Sequence, residues 1–253
     1  MGCHAEFLRV ALEGHDALSR AVLREPHAVA TRWHEPRIQM LAQLATTVTL
    51  EPWLLSASVL ARARAIELSD DDLLHAIALS SFFGHLNRIA DATAVALDYA
   101  VQLAPLPPEP ATPPLACAPH RVTGTAPLSL ESRPATAAAL STWRDYLLAR
   151  DARNAELEAF AAQLVGDGPP VAGSIDDSID DSTGAGAEPL DEQAARRQLA
   201  ELVIRAPWRL GDVTFAPLRS LGYDDAAVFA VCAAASSFGA MARIRVALTA
   251  LSR

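Results

Sequence analysis

A chain that writes one long stretch twice has to fold as two related units or as a structure built from a matched pair. Shifting this sequence by 155 positions sets Asp70 on Asp225, Ala78 on Ala233, Ser81 on Ser236, Phe83 on Phe238, Gly84 on Gly239, Arg88 on Arg243 and Ile89 on Ile244. The shift continues upstream without a gap. Pro52 meets Pro207, Trp53 meets Trp208, Leu55 meets Leu210 and Arg64 meets Arg219, with Leu44 on Leu199 and Val48 on Val203 further back. Shared Pro-Trp and Ser-x-Phe-Gly-x-x-x-Arg-Ile patterns in a single register read as a tandem duplication.

The clearest copy runs over residues 70–97. Leu74, Ile77, Ala78, Phe82, Leu86, Ile89 and Ala90 recur at three- and four-residue steps, which predicts one apolar stripe along a helix. Ser69 precedes three aspartates, residues 70–72, where a hydroxyl can accept an orphan N–H and negative charge suits the helix dipole. Further helices are expected over about 4–23, broken near Gly14, then over 37–47, 56–66, 136–151, 156–165 and 193–205. The 37–47 helix is expected to end at the β-branched run 46–49, and Ser56 to cap the next one. Almost nothing alternates with period two, so the expected class is all-α with few or no strands.

Two segments interrupt the pattern. Proline is so dense over residues 103–119 that donors are lost and φ is fixed, predicting an extended linker. Residues 166–188 are rich in Gly, Ser and Asp and poor in aromatics, predicting a mobile loop. The expected division is therefore a first unit over 1–102, a linker over 103–135 and a second, degenerate unit over 136–253.

The chain carries 51% hydrophobic and 20% charged residues in 253, a globular composition long enough for a substantial core. Its net charge of −9 argues against nucleic acid or an anionic membrane as partner. No uninterrupted apolar run approaches the roughly 18 residues of a bilayer span, the longest candidate being 226–235. Cys3, Cys117 and Cys232 are scattered and odd in number, which fits a reducing cytoplasm. His27 and His34 match no ligand spacing, and the aspartate pairs 176–177 and 180–181 lack the glycine and closing glutamate of a calcium loop, so no metal and no cofactor are expected.

The run Ser81-Phe82-Phe83-Gly84-His85-Leu86-Asn87-Arg88-Ile89-Ala90-Asp91, continuing through Val95, Leu97 and Asp98, resembles the last helix of the alkylhydroperoxidase D-like, or carboxymuconolactone decarboxylase, superfamily. It is most similar to the peroxidase-related branch, in which a segment like Thr49-x-x-Pro52 comes first. Ala94 stands where the family has glycine. The resemblance covers about residues 3–100 well and reaches the second half through the repeat. It implies an all-helical, oligomeric protein that reduces hydroperoxides with a dithiol reductant.

In that family a Cys-x-x-Cys pair, a nearby His and an upstream Glu do the work. The thiolate attacks the peroxide oxygen, the His and carboxylate lower its pKa, and the second Cys resolves the sulfenic acid. No Cys-x-x-Cys occurs in this chain. Aligning the family's Cys-x-x-His-His ending on the opening residues makes Cys3 and His4 the catalytic candidates, with the other cysteine expected just before Met1 or lost. Hydroperoxide turnover is then expected to be impaired. A non-catalytic small-molecule-binding or interaction module is the alternative, and a lactone decarboxylase rests on the superfamily name alone.

Asn87 and Arg88 interrupt the apolar stripe and are pocket candidates, as is His85, whose counterpart is Ala240. Recurrence of Arg at 243 favours a structural tie to a facing carboxylate or to backbone carbonyls. Ser81 and Ser236 read as small packing residues, Cys232 as core, and Trp53 and Trp208 as core anchors.

Overall fold

The computed structural model describes residue 31 and residues 35–94, 134–167 and 191–251, and every regular element among them is helical. In order they are α1 (Pro36–Leu50), a 3-10 turn (Pro52–Leu54), α2 (Ala57–Ala65), α3 (Asp70–Thr93), α4 (Pro134–Arg150), α5 (Asn154–Asp167), α6 (Glu192–Arg205), a second 3-10 turn (Pro207–Arg209), α7 (Asp212–Ser220) and α8 (Asp225–Leu251). Cys3, His4, Cys117 and the proline-dense segment lie outside the described residues, as does nearly all of the expected loop at 166–188.

The series α1, 3-10 turn, α2, α3 returns as α6, 3-10 turn, α7, α8 at the offset found in the sequence. The 3-10 turns and α2 with α7 correspond residue for residue. Smaller features keep the register. Arg64 pairs with Asp70 at 2.5 Å and Arg219 with Asp225 at 2.9 Å, each joining a short helix to the start of the long one. The turn after each short helix passes through a left-handed residue, Glu67 at φ 66° and Gly222 at φ 88°. Only glycine takes that conformation without strain, so the second copy of the turn is the relaxed one.

Pro36 starts α1 at the position where its missing N–H costs nothing, and the helix runs on to Leu50. The β-branched residues do not stop it; Thr47 turns its hydroxyl back onto Gln43 O at 2.9 Å, and the chain leaves the helix only before Pro52. Ser69 caps α3 in a full capping box, taking the Asp72 N–H while the Asp72 carboxylate takes the Ser69 N–H. Ser56 occupies the N-cap position of α2, but its hydroxyl bonds Ser58 Oγ at 2.9 Å. The far end of α3 closes on Ala94 at φ 51°, the position where the resembling family has glycine. α4 begins at Pro134, two residues before the expected helix start at 136.

The buried face of α3 differs from the expected stripe. Leu73, Leu74, Ile77, Ser81, Gly84 and Arg88 are buried, whereas Phe82 is 47% exposed. Small residues at 81 and 84 let α3 approach α8 closely, and this contact turns the helix so that Phe82 falls outside it. α8 lies at the centre, against α3, α5 and α6. Phe238, Cys232, Val231 and Met241 join the core of the second half, while Ile244, Ala247 and Ala250 complete that of the first. By length and composition α8 could cross a membrane, and 78% of its apolar window is buried within the protein. The apolar run over 226–235 stops at Ser236 and Ser237, yet the helix stays apolar through Phe238, Met241 and Ala242 before Arg243.

Candidate functional site

The repeated motif Gly-x-x-x-Arg builds the most distinctive contact between the halves. On α3, Arg88 folds back along its own helix so that Nη1 donates to Gly84 O at 2.8 Å, and its Nε donates across the interface to Ile204 O at 3.1 Å. On α8, Arg243 Nη1 donates to Gly239 O at 3.0 Å and its Nε crosses to Thr49 O at 3.2 Å. Thr49 and Ile204 are themselves 155 residues apart, in the last turns of α1 and α6. Each arginine therefore reaches the helix end of the opposite half. There, carbonyls lack intrahelical partners and the dipole favours a cation. Glycine leaves room beside each guanidinium: a Cβ at 84 would lie 2.9 Å from Arg88 Nη1, and one at 239 would lie 3.2 Å from both Arg243 Nη1 and Ile204 Cγ1, so a side chain there would push the guanidinium aside.

This exchange floors a cavity of about 320 Å³. Its wall takes matched positions from both halves: Pro52-Trp53 and Pro207-Trp208 from the 3-10 turns, Thr49 and Ile204 from the helix ends, and Arg88 and Arg243 from the core helices. The prolines are buried, but Trp208 is 71% exposed and Trp53 only partly covered, so neither tryptophan is the core anchor expected from the sequence. A rim tryptophan next to a buried proline suits an aromatic wall. Asn87 and Asp91, one helical turn apart on α3, also line the cavity.

Arg88 and Arg243 are 7% and 5% exposed, yet neither forms an ion pair among the described residues. Both converge on one oxygen, Ile204 O, which Arg243 Nη2 meets at 3.2 Å. Loss of solvent pulls the Arg88 pKa down to about 10, with Asp91 opposing the shift. Burial, reinforced by the charge of Arg88, holds that of Arg243 well below the usual arginine range. Two desolvated like charges side by side, held by neutral carbonyls, favour an added negative charge.

His85, the third pocket candidate, turns away from Asn87 and Arg88. Its Nδ1 lies 2.9 Å from Ser236 Oγ, whose hydroxyl donates to His85 O at 3.1 Å. The single hydroxyl proton is thus committed to the carbonyl, which makes Nδ1–H the donor and leaves the lone pair on Nε2. Ser236 is fully buried, and the pair has no orienting carboxylate, so it ties α3 to α8. The counterpart of His85 is Ala240, and Ser81 Oγ is correspondingly buried without a partner. Nothing local to Ser236 marks a partner 151 residues away, so in the sequence it reads as a small packing residue.

His85 is held below its ordinary pKa, first by burial and then by the charge of Arg88, with the Ser236 bond opposing. The unfolded chain therefore binds a proton that the folded one resists. The neutral-His contribution is fully present above the unfolded value of 6.5 and is lost as pH falls below it toward the folded pKa. Between about pH 7.5 and about pH 5, the urea midpoint of the wild type is expected to drop further than that of His85→Asn, which keeps a donor near Nδ1 and does not titrate. Parallel pH profiles for the two proteins would contradict this.

The cysteine of the second half is a core residue. Cys232 is buried in α8, where loss of solvent pushes its thiol up to about 12. In the 155-residue register Cys3 falls on Glu158, which is 5% exposed and held by Arg144 at 2.6 and 2.9 Å and by Arg245 at 3.5 Å. That interior position is occupied by a closed ion-pair cluster. No group of residues suited to a metal ion occurs among the described residues. A second cavity of about 310 Å³, bordered by Leu74, Phe82, Leu140, Trp143 and Ile244, is mostly apolar, with His75 and Thr136 also on its lining. No protein-family model, no curated protein and no solved structure matches this chain.

Proposed function

We propose that this chain is a fusion of two alkylhydroperoxidase-like helical units that serves as a small-molecule-binding module, its ligand held in the cavity between the halves. The observation that carries this reading is the cavity itself. Equivalent residues of both halves face one another across about 320 Å³, within the range of small-ligand sites, with polar groups converging on an otherwise apolar wall. A panel of small neutral and anionic compounds, read by thermal shift on the full chain, is expected to contain stabilising members whose effect is lost in Trp208→Ala. A panel without any such member would contradict the reading.

Thiol-dependent hydroperoxide reduction through Cys3 and His4 is the second reading. It is supported by the resemblance of the run from Ser81 to Asp91 to the last helix of that family. Hydroperoxide consumption with a dithiol reductant is expected to stay at the uncatalysed rate. Turnover abolished by Cys3→Ser would replace the binding reading with the peroxidase one.

A further inference from the structure

We infer that the cavity between the halves takes a small organic anion, its carboxylate seated on Arg88 Nη2 with the charge of Arg243 beside it, and its apolar body against Trp53 and Trp208. The inference rests on the binding reading above and specifies the ligand class. Of the Arg88 nitrogens, Nε and Nη1 are engaged by carbonyls, and Nη2 has no hydrogen-bond partner among the described residues, although the side chain is 93% buried. Asn87 Oδ1 on the same wall is also buried without a partner, and a turn of that amide presents two donors to an anion. The charges lining the cavity are Arg88, Arg205 and Arg243 against the single carboxylate of Asp91. Arg205 is already paired with Glu201 at 3.0 Å, which leaves the two buried guanidiniums against Asp91, one positive charge in excess. A positive cavity within a chain of net charge −9 is a local arrangement that the overall composition does not produce.

The walls narrow the anion further. Leu50, Leu164, Val165 and the two proline rings are apolar, so a bare inorganic ion would leave most of the volume unfilled. A carboxylate on a flat ring matches both parts, because guanidinium binds the carboxylate in its plane and the indoles stack on the ring.

Benzoate and its neutral isostere benzamide are suitable probes, titrated into the full chain at fixed ionic strength and followed by tryptophan fluorescence and thermal shift. Benzoate is expected to bind at least about tenfold more tightly than benzamide, and Arg88→Met to weaken benzoate by about tenfold. Asn87→Asp places a carboxylate in the cavity from the chain itself. It is expected to abolish the benzoate response and raise Tm by about 3 °C, despite Asp91 one turn away. Equal binding of the two probes would overturn the anion inference and leave the binding reading standing, as would benzoate binding unchanged by both substitutions. Failure of both probes with a lowered Tm in Asn87→Asp would overturn the inference; failure of the wider compound panel as well would remove the binding reading with it.

Discussion

Arg243→Met is expected to destabilise the chain by about 3 kcal/mol in urea unfolding, a larger loss than any exposed arginine should produce. Methionine fills most of the volume, so the effect reads the hydrogen bonds. Thr49 O loses its donor at the end of α1, and Ile204 O keeps only Arg88. One contribution opposes this: removing Arg243 relieves its repulsion with Arg88, which limits the loss. Because both arginines share Ile204 O, Arg88→Met and Arg243→Met are expected to combine non-additively, whereas unconnected sites would sum.

Phe238→Ala should cost about 4 kcal/mol, while Phe83→Ala, at the matching position, should cost about 1 kcal/mol or less. Phe238 is 1% exposed and belongs to the core formed with Leu157, Ala161 and Val203. Phe83 is 40% exposed on α3. Truncation at 238 opens a cavity that close packing cannot refill, and truncation at 83 removes a ring already half in solvent. Equal costs in paired urea titrations would show that the environments of the two phenylalanines are more alike than the structure has them.

The helical class and most boundaries were legible because propensity, capping and proline act locally. Ser69 with its aspartates, Pro36, Pro52 and Pro207 set their elements largely through their own backbone chemistry. The buried face of α3 was not legible. Apolar periodicity points to the most hydrophobic side, but burial follows the side where Ser81 and Gly84 admit a second backbone, and only the tertiary contact reveals that choice. The arginine exchange was half legible. Recurrence of Gly-x-x-x-Arg marked Arg88 and Arg243 as tied to something, and backbone carbonyls were among the possibilities; that each crosses to the other half was not readable from a local pattern. The same holds for His85 and Ser236. The tryptophans mislead in the other direction, since an aromatic after proline looks like an anchor until its neighbours show a cavity mouth.

The central claim is that the two halves are one body, joined where each arginine binds the helix end of the other. Hydrogen–deuterium exchange on Arg243→Met against wild type tests it most directly. The account predicts faster exchange in α1 of the first half, above all in its last turn around Thr49, together with α8. Faster exchange confined to α6, α7 and α8, with α1 protected as in the wild type, would contradict it.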